Sequence, residues 1–204
     1  LFLYEAAKNH VLPIDDRVFE RFDGAAVGRP SLLGDRTSLT LAEGMTGMTE
    51  DTFLDVKNRS KTITAEVVIP EGTTAHGAVL VQGGRFGGWA LYVKDGVPAY
   101  DYSFLGIQRF TVASDEALKP GKHTIRFEFA YDGGGAGKGG MGTLFVDDRK
   151  VGEGRIERTQ PVVFSVEDTA DVGVDLGTPV VEAIGCERKS RFNGGIPKVT
   201  ITVK

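Results

Sequence analysis

The clearest pattern along the chain is an alternation of apolar and polar positions with a period of two residues, beginning near residue 58. Ile63, Ala65 and Val67 alternate with polar residues and lead into the turn Pro70-Glu71-Gly72. This period is typical of a strand with one buried face. Similar short runs occur at 79–82, 89–93, 100–104, 125–131, 144–146, 162–166 and 199–203. The pattern therefore predicts an all-β fold of eight or more antiparallel strands, a β-sandwich or jelly roll.

The first fifty residues follow a different pattern. Leu3, Ala6, Ala7 and His10 are spaced as on a short helix, which Pro13 would end. Residues 13–57 show no clear period, which predicts an irregular arm that needs another surface to hold it. We therefore divide the chain into a helix and arm at 1–50 and a β-sandwich at 51–204. The chain begins with Leu1 rather than Met, which favours a piece of a longer protein.

Composition and charge narrow the class of partner. The chain has 28 glycines among 204 residues, about twice ordinary usage, and we expect them in turns and bulges. Its net charge of -4 provides no field that would attract phosphates, so we expect no nucleic-acid partner. No run approaches eighteen apolar residues, so we expect a soluble protein without a membrane segment. Cys186 is the only cysteine, which excludes an internal disulfide.

Aromatic and basic residues are concentrated in one stretch of the predicted sandwich. Sugars stack on exposed aromatic rings, and sulfate or carboxylate groups pair with arginine, so this stretch is a candidate glycan groove. Most of these residues also alternate as core residues do, and burial is the competing interpretation. The candidate glycan-binding residues are Arg85, Trp89, Tyr92, Tyr100, Tyr102 and Arg109, and the same stretch contains Phe86 and Phe104.

Four carboxylates follow the apolar run at 162–166. Glu167, Asp168, Asp171 and Asp175 do not alternate along one strand, as a facing pair in a glycosidase would, and solvated loop residues are one interpretation. The other is a structural calcium loop, because a hard cation takes six to eight oxygen ligands. The candidate metal ligands are Asp168, Asp171 and Asp175.

Several runs of residues resemble the C-terminal region of large bacterial arylsulfatases. These runs are 55–60, 62–66, 82–89, 91–96, 129–135 and 171–175, and residues 11–17 resemble the segment that leaves the catalytic domain of that family. The resemblance covers nearly the whole chain as far as Pro179, and it implies a concanavalin A-like β-sandwich. The chain departs from the family at 180–191 and at Asp147-Asp148, where Asp-Gly is expected.

The resemblance implies a companion domain and not an enzyme. Arylsulfatases use a calcium ion and a formylglycine made in a Cys/Ser-x-Pro-Ser-Arg motif, but Cys186 has no proline two places on. We therefore expect no cofactor in this chain beyond the structural calcium, and an upstream sulfatase domain of the same bacterial chain as its partner. A second copy of this chain is a further candidate partner. The bacterial cytoplasm and the periplasm are both candidate locations. The alternative function is a carbohydrate-binding module for a sulfated glycan.

Overall fold

The computed structural model of this protein describes residues 1–12, 28 and 32–204. Residues 1–31 and residues 32–204 form two separate compact units. In the first unit, helix α1 (Phe2–Lys8) confirms the predicted short helix. Much of the predicted arm, at 13–27 and 29–31, lies outside the described residues.

The second unit contains two antiparallel sheets. Its strands are β1 (Ser38–Leu41), β2 (Lys61–Ile69), β3 (Gly77–Gly84), β4 (Gly87–Lys94), β5 (Val97–Phe104), β6 (Gln108–Ala113), β7 (Gly121–Tyr131), β8 (Lys138–Val146), β9 (Arg149–Arg158), β10 (Ala170–Val172) and β11 (Gly195–Val203). The six-stranded sheet has the order β1-β11-β2-β7-β8-β9, and the five-stranded sheet has the order β10-β3-β4-β5-β6. This arrangement confirms the predicted all-β sandwich.

Two details differ from the sequence prediction. Strand β1 and the bridge between Met48 and Ala170 lie within the segment predicted to be an irregular arm. Conversely, the apolar run 162–166 forms no strand. Phe164 in that run is buried against the Tyr102 ring, and its backbone N–H donates to the Glu50 carboxylate at 3.1 Å. A side-chain carboxylate therefore satisfies a backbone donor that a neighbouring strand would otherwise satisfy.

Aromatic stacking fills the space between the sheets. The ring centroids of Tyr100 and Phe127 are 3.6 Å apart, and those of Trp89 and Tyr100 are 5.9 Å apart. All three side chains are fully buried. The Tyr100 hydroxyl has no hydrogen-bond partner among the described residues, which makes it a polar atom enclosed at a cost to stability.

Lys57 and Lys61, both with little solvent exposure, have opposite surroundings. Lys57 lies 2.7 Å from Glu50 and 2.9 Å from Asp55. Burial opposes its charge, but these carboxylates outweigh burial and raise the pKa of Lys57. Lys61 is 4% exposed, and its Nζ lies 5.2 to 5.9 Å from the ring centres of Trp89, Tyr102 and Phe129. Burial, together with the charge of Lys57, lowers the pKa of Lys61 to about 7.

An irregular segment covers the outer face of the five-stranded sheet. This segment, residues 173–192, is called the strap below. Its side chains Val180, Val181 and Ile184 join the sheet residues Ala78, Val81, Ala90, Tyr92 and Ala99 in a second apolar cluster. Gly77 allows the crossing, because a Cβ there would lie 2.6 Å from the backbone of Arg191. The strap therefore removes this sheet face from solvent.

Tight turns join the hairpins. Asp95-Gly96 and Asp147-Asp148 both have positive φ angles and connect β4 to β5 and β8 to β9. The departure from Asp-Gly at 147–148 therefore does not prevent the hairpin, since aspartate tolerates this conformation better than most residues. Within the described residues, no helix has the length and apolar character needed to cross a membrane.

Candidate functional site

The four predicted sugar-stacking aromatics are core residues. Trp89, Tyr92, Tyr100 and Tyr102 are all buried. Their polar atoms serve internal bonds where they have partners: Trp89 Nε1 donates to Gln82 at 3.0 Å, and the Tyr102 hydroxyl accepts from the Gln160 N–H at 2.7 Å. Protein atoms cover these rings, so their placement does not support a role in stacking on sugars. The alternation that predicted their burial is the better guide.

A different apolar surface is exposed at the tips of two adjacent hairpins. Phe86, in the β3–β4 turn, is 69% exposed, and Leu105 and Ile107, in the β5–β6 turn, are 49% and 77% exposed. The tips are neighbours because β4 pairs with β5. We call Arg85, Phe86, Leu105, Ile107 and Arg109 the hairpin-tip surface. Contiguous exposed apolar side chains beside polar ones are typical of a contact site.

Close backbone packing fixes the two tips against each other. The Ser103 hydroxyl on β5 donates to the Arg85 carbonyl at 3.0 Å. Gly106 lies against Phe86, because a Cβ at Gly106 would be 3.2 Å from the Phe86 Cδ1 atom. The Phe86 ring therefore rests on the neighbouring turn while most of its surface stays in solvent. A ring held in this way presents a fixed apolar face.

The β5–β6 turn has an unfavourable residue at its tip. Leu105 and Gly106 both have positive φ, 54° and 67°, and the Ile107 N–H donates to the Phe104 carbonyl at 3.0 Å. Hairpin turns with two successive positive-φ residues favour Asn-Gly or Asp-Gly, as at Asp95-Gly96. A leucine in this conformation costs about 1 kcal/mol, and its exposed side chain recovers little of that by packing. Such strain is often retained where a side chain has a binding role.

The two predicted arginines flank this apolar surface and share one carboxylate. Arg85 Nη2 lies 3.2 Å from Glu182 Oε1, and Arg109 Nη2 lies 4.0 Å from the same oxygen. Arg109 also donates to the Val180 carbonyl. Glu182 is the only carboxylate within 4 Å of either guanidinium in the part of the chain that is described. Arg109 also interacts electrostatically with the buried carboxyl group of Asp101, so Glu182 is the exposed anion beside these two cations.

The three predicted metal ligands organise the backbone around the strap. Asp168 accepts from the Thr178 N–H at 3.0 Å, and Asp171 accepts from the Gly47 N–H at 2.7 Å. Asp175 accepts from the Val180 N–H at 3.0 Å through Oδ2. Among the described residues, no three histidine, cysteine or acidic side chains are arranged to hold a metal ion. A backbone N–H group therefore donates to at least one oxygen of each of these carboxylates, and the structural calcium stays a prediction.

One of these carboxylates has an unusual environment. Asp175 Oδ1 is buried and has no hydrogen-bond partner among the described residues. Burial raises the pKa of Asp175 to about 7, against the hydrogen bond from Val180, and the charges of Asp171 and Asp168 add to the rise. The group is therefore uncharged in the fold under mildly acidic conditions.

The described residues also form two clefts. The larger, of about 420 Å³, lies beside β10 and is lined by Glu43, Gly44, Thr46, Val172, Gly173, Val174, Leu176 and Arg191. The smaller, of about 280 Å³, contains His123, whose ring nitrogens lie 2.7 Å from Asp147 Oδ2 and 2.8 Å from the Lys119 carbonyl. Both ring nitrogens of His123 therefore have partners in neighbouring loops, and neither is available to act as a general base.

Comparisons with known proteins identify the fold and not a family. No family model and no curated protein matches this sequence. The CBM40 domain of a Ruminococcus gnavus IT-sialidase, bound to α2,3-sialyllactose, superposes with a TM-score of 0.54 at 13% identity, covering 82% of this chain and 90% of that chain. A leech intramolecular trans-sialidase gives a TM-score of 0.50 at 11% identity, covering 82% of this chain and 25% of that chain.

A third solved structure, domains LG4-5 of the mouse laminin α1 chain, gives a TM-score of 0.47 at 16% identity over 84% of this chain and 40% of that chain. At these identities the similarity concerns the fold alone. The class is therefore a jelly-roll β-sandwich of the kind found in carbohydrate-binding modules. Neither the CBM40 domain nor the leech trans-sialidase is a sulfatase, so the family resemblance seen in the sequence gains no support from them.

Proposed function

We propose that this chain is a non-catalytic β-sandwich domain that binds a glycan at the hairpin-tip surface. The observation that carries the proposal is the exposed Phe86 ring, held against Gly106 and flanked by Arg85. A rigid aromatic face accepts the C–H face of a sugar ring, and adjacent donors bind its hydroxyls. The structural neighbour bound to sialyllactose supports this assignment at the level of fold.

A non-catalytic role agrees with the state of the carboxylates. Glycoside hydrolysis needs two acidic side chains facing one groove. The acidic residues considered for that role are Glu167, Asp168, Asp171 and Asp175. The last three accept hydrogen bonds from backbone N–H groups around the strap, and Glu167 follows the apolar run that forms no strand. The proposal therefore assigns the domain a binding task and leaves bond cleavage to another domain.

A second candidate function is that of a companion domain in a larger hydrolase. The match covers a quarter of the leech trans-sialidase chain, so a sandwich of this fold occurs there as one part of a larger protein. The sequence runs that resemble arylsulfatases suggest a sulfatase domain as the partner, and a sulfated glycan as the ligand. Both remain predictions. Sequencing the gene upstream of residue 1 tests the first, because a Cys-x-Pro-Ser-Arg motif is expected there.

A glycan array tests the binding function directly. We expect the purified chain to bind a subset of neutral, sialylated or sulfated glycans, and Phe86→Ala to abolish that binding with an unchanged thermal melt. Met141→Ala is the matched control, because Met141 is an exposed apolar residue on β8 of the other sheet. Binding that survives Phe86→Ala, or that Met141→Ala removes equally, would show that the hairpin-tip surface is not the site.

A further inference from the structure

We infer that the hairpin-tip surface selects a sugar that carries an anionic group, a carboxylate or a sulfate, and that Glu182 occupies the position of that group until the ligand displaces it. The inference rests on the proposed function. It adds the chemical class of the ligand and an internal competitor for the site. Its physical basis is the arrangement of Arg85, Arg109 and Glu182.

The Arg85 backbone and the Arg109 side chain are held in place independently of Glu182. The Arg85 N–H donates to Thr178 Oγ1 at 3.0 Å, and the Arg85 carbonyl accepts from Ser103 at 3.0 Å. Arg109 lies on β6, directly opposite Ser103, and donates to the Val180 carbonyl. Removing the Glu182 side chain therefore leaves the Arg109 guanidinium positioned and the Arg85 backbone fixed. The Arg85 guanidinium, on a side chain that is 56% exposed, can then turn to meet an anionic ligand beside Arg109.

Glu182, in contrast, can move its side chain without moving the strap. Its neighbours Val181 and Ile184 are buried in the apolar cluster on the sheet, and the Gly185 N–H donates to the Glu182 carbonyl at 3.1 Å. The Glu182 side chain itself is 56% exposed, as is that of Arg85. The backbone is thus anchored while the carboxylate faces solvent, so a change of rotamer is enough to vacate the site.

The interaction energies favour replacement of the Glu182 carboxylate by the anionic group of a ligand. An exposed ion pair contributes little to stability, and Glu182 reaches Arg109 only at 4.0 Å. A ligand anion that lies between the two guanidinium groups forms charge-assisted hydrogen bonds to both, each roughly twice as strong as a neutral one. Displacing Glu182 therefore costs less than the ligand contacts return. Its carboxylate lowers the affinity for anions and leaves neutral sugars little affected.

Substitutions that remove a charge distinguish the role of Glu182 from that of the two arginines. We expect Glu182→Gln to tighten binding of anionic glycans by about threefold to tenfold and to leave neutral glycans unchanged, because one negative charge is removed beside both arginines. Arg85→Gln should weaken the binding of anionic glycans at least tenfold. Glu157→Gln is the matched control, since Glu157 is an exposed glutamate on β9 of the other sheet.

Titration calorimetry with 3′-sialyllactose, 3′-sulfolactose and lactose measures these effects, and the comparison of the first two shows whether carboxylate or sulfate is preferred. Lactose bound as tightly as both anionic sugars, or Glu182→Gln without effect, would overturn the inference. If Phe86→Ala still abolished binding in that case, the proposed function would stand.

A second measurement does not depend on any sugar. Sodium sulfate is titrated into 15N-labelled protein while the arginine Nε–Hε NMR signals are followed. We expect the signals of Arg85 and Arg109 to shift at several-fold lower sulfate concentration in Glu182→Gln than in the wild type or Glu157→Gln. Equal titration curves for the three proteins would overturn the assignment of Glu182 as an internal competitor.

Discussion

Replacing Lys61 with methionine is expected to stabilise the fold, because the substitution removes an ionisable amine from a buried site. The pKa of Lys61 falls from its ordinary value of 10.5 to about 7 because the amine is buried near Lys57. This difference corresponds to a cost of about 5 kcal/mol for keeping the amine charged in the fold. We therefore expect Lys61→Met to raise the free energy of unfolding by about 4 kcal/mol at pH 7, where the folded amine is half protonated.

The pH dependence provides the sharper test. Because the pKa of Lys61 is lower in the fold, the unfolded chain binds the extra proton between about pH 7 and pH 10.5. The stability of the wild type then rises with pH across this window relative to Lys61→Met. Urea denaturation at pH 7, 8, 9 and 10 measures the difference, which we expect to shrink steadily.

Lys57→Met is the matched control. The Lys57 side chain is only 9% exposed, but its removal leaves Glu50 and Asp55 without their cation, so we expect a loss of about 2 kcal/mol. A constant difference between wild type and Lys61→Met from pH 7 to pH 10 would refute the reasoning. It would mean that Lys61 stays charged in the fold and that the rings compensate fully for its burial.

Three other substitutions test separate features. Tyr100→Phe should raise the free energy of unfolding by about 1 kcal/mol in urea, because it removes a buried hydroxyl without a partner; a loss of stability would contradict this. The pKa of Asp175 is raised in the fold, so the folded carboxyl keeps a proton that the unfolded chain has released. As the pH rises from about 4 to 7, the free energy of unfolding of the wild type should fall by roughly 3 kcal/mol relative to Asp175→Asn. Parallel pH profiles for the two proteins would exclude the raised pKa. Leu105→Asn should stabilise the β5–β6 turn by about 0.5 to 1 kcal/mol and weaken glycan binding, measured by urea denaturation and on the array. Unchanged binding would remove Leu105 from the site.

The alternation of residues predicted the strands because one buried face imposes a period of two. It could not predict how the second face of the central strands is used. Val81 and Ala90 point away from the core between the sheets, yet both are buried, since the strap covers them. The strap is irregular and has no period, so its position depends on contacts that no local pattern reveals.

The candidate site was predicted in part. Arg85, Phe86 and Arg109 belong to the aromatic and basic stretch, and the stretch does contain the exposed hairpin tips. The sequence could not separate Phe86, at a turn, from Trp89, three residues later in the core. Glu182 lies 97 positions after Arg85 in the chain, and only the folded strap brings the two together. Sites of this kind depend on tertiary contacts and leave little local signal.

The position of β11 has a consequence for how the chain folds. This strand lies between β1 and β2, and its register joins Ile201 to both Leu39 and Ile63. The six-stranded sheet therefore cannot close until the last strand of the sandwich is available, and the loop to be closed exceeds a hundred residues. Pairings so distant in sequence slow folding. Until they form, β1 and β2 are open edges that can pair with another chain, so aggregation during synthesis is the main hazard that this topology creates.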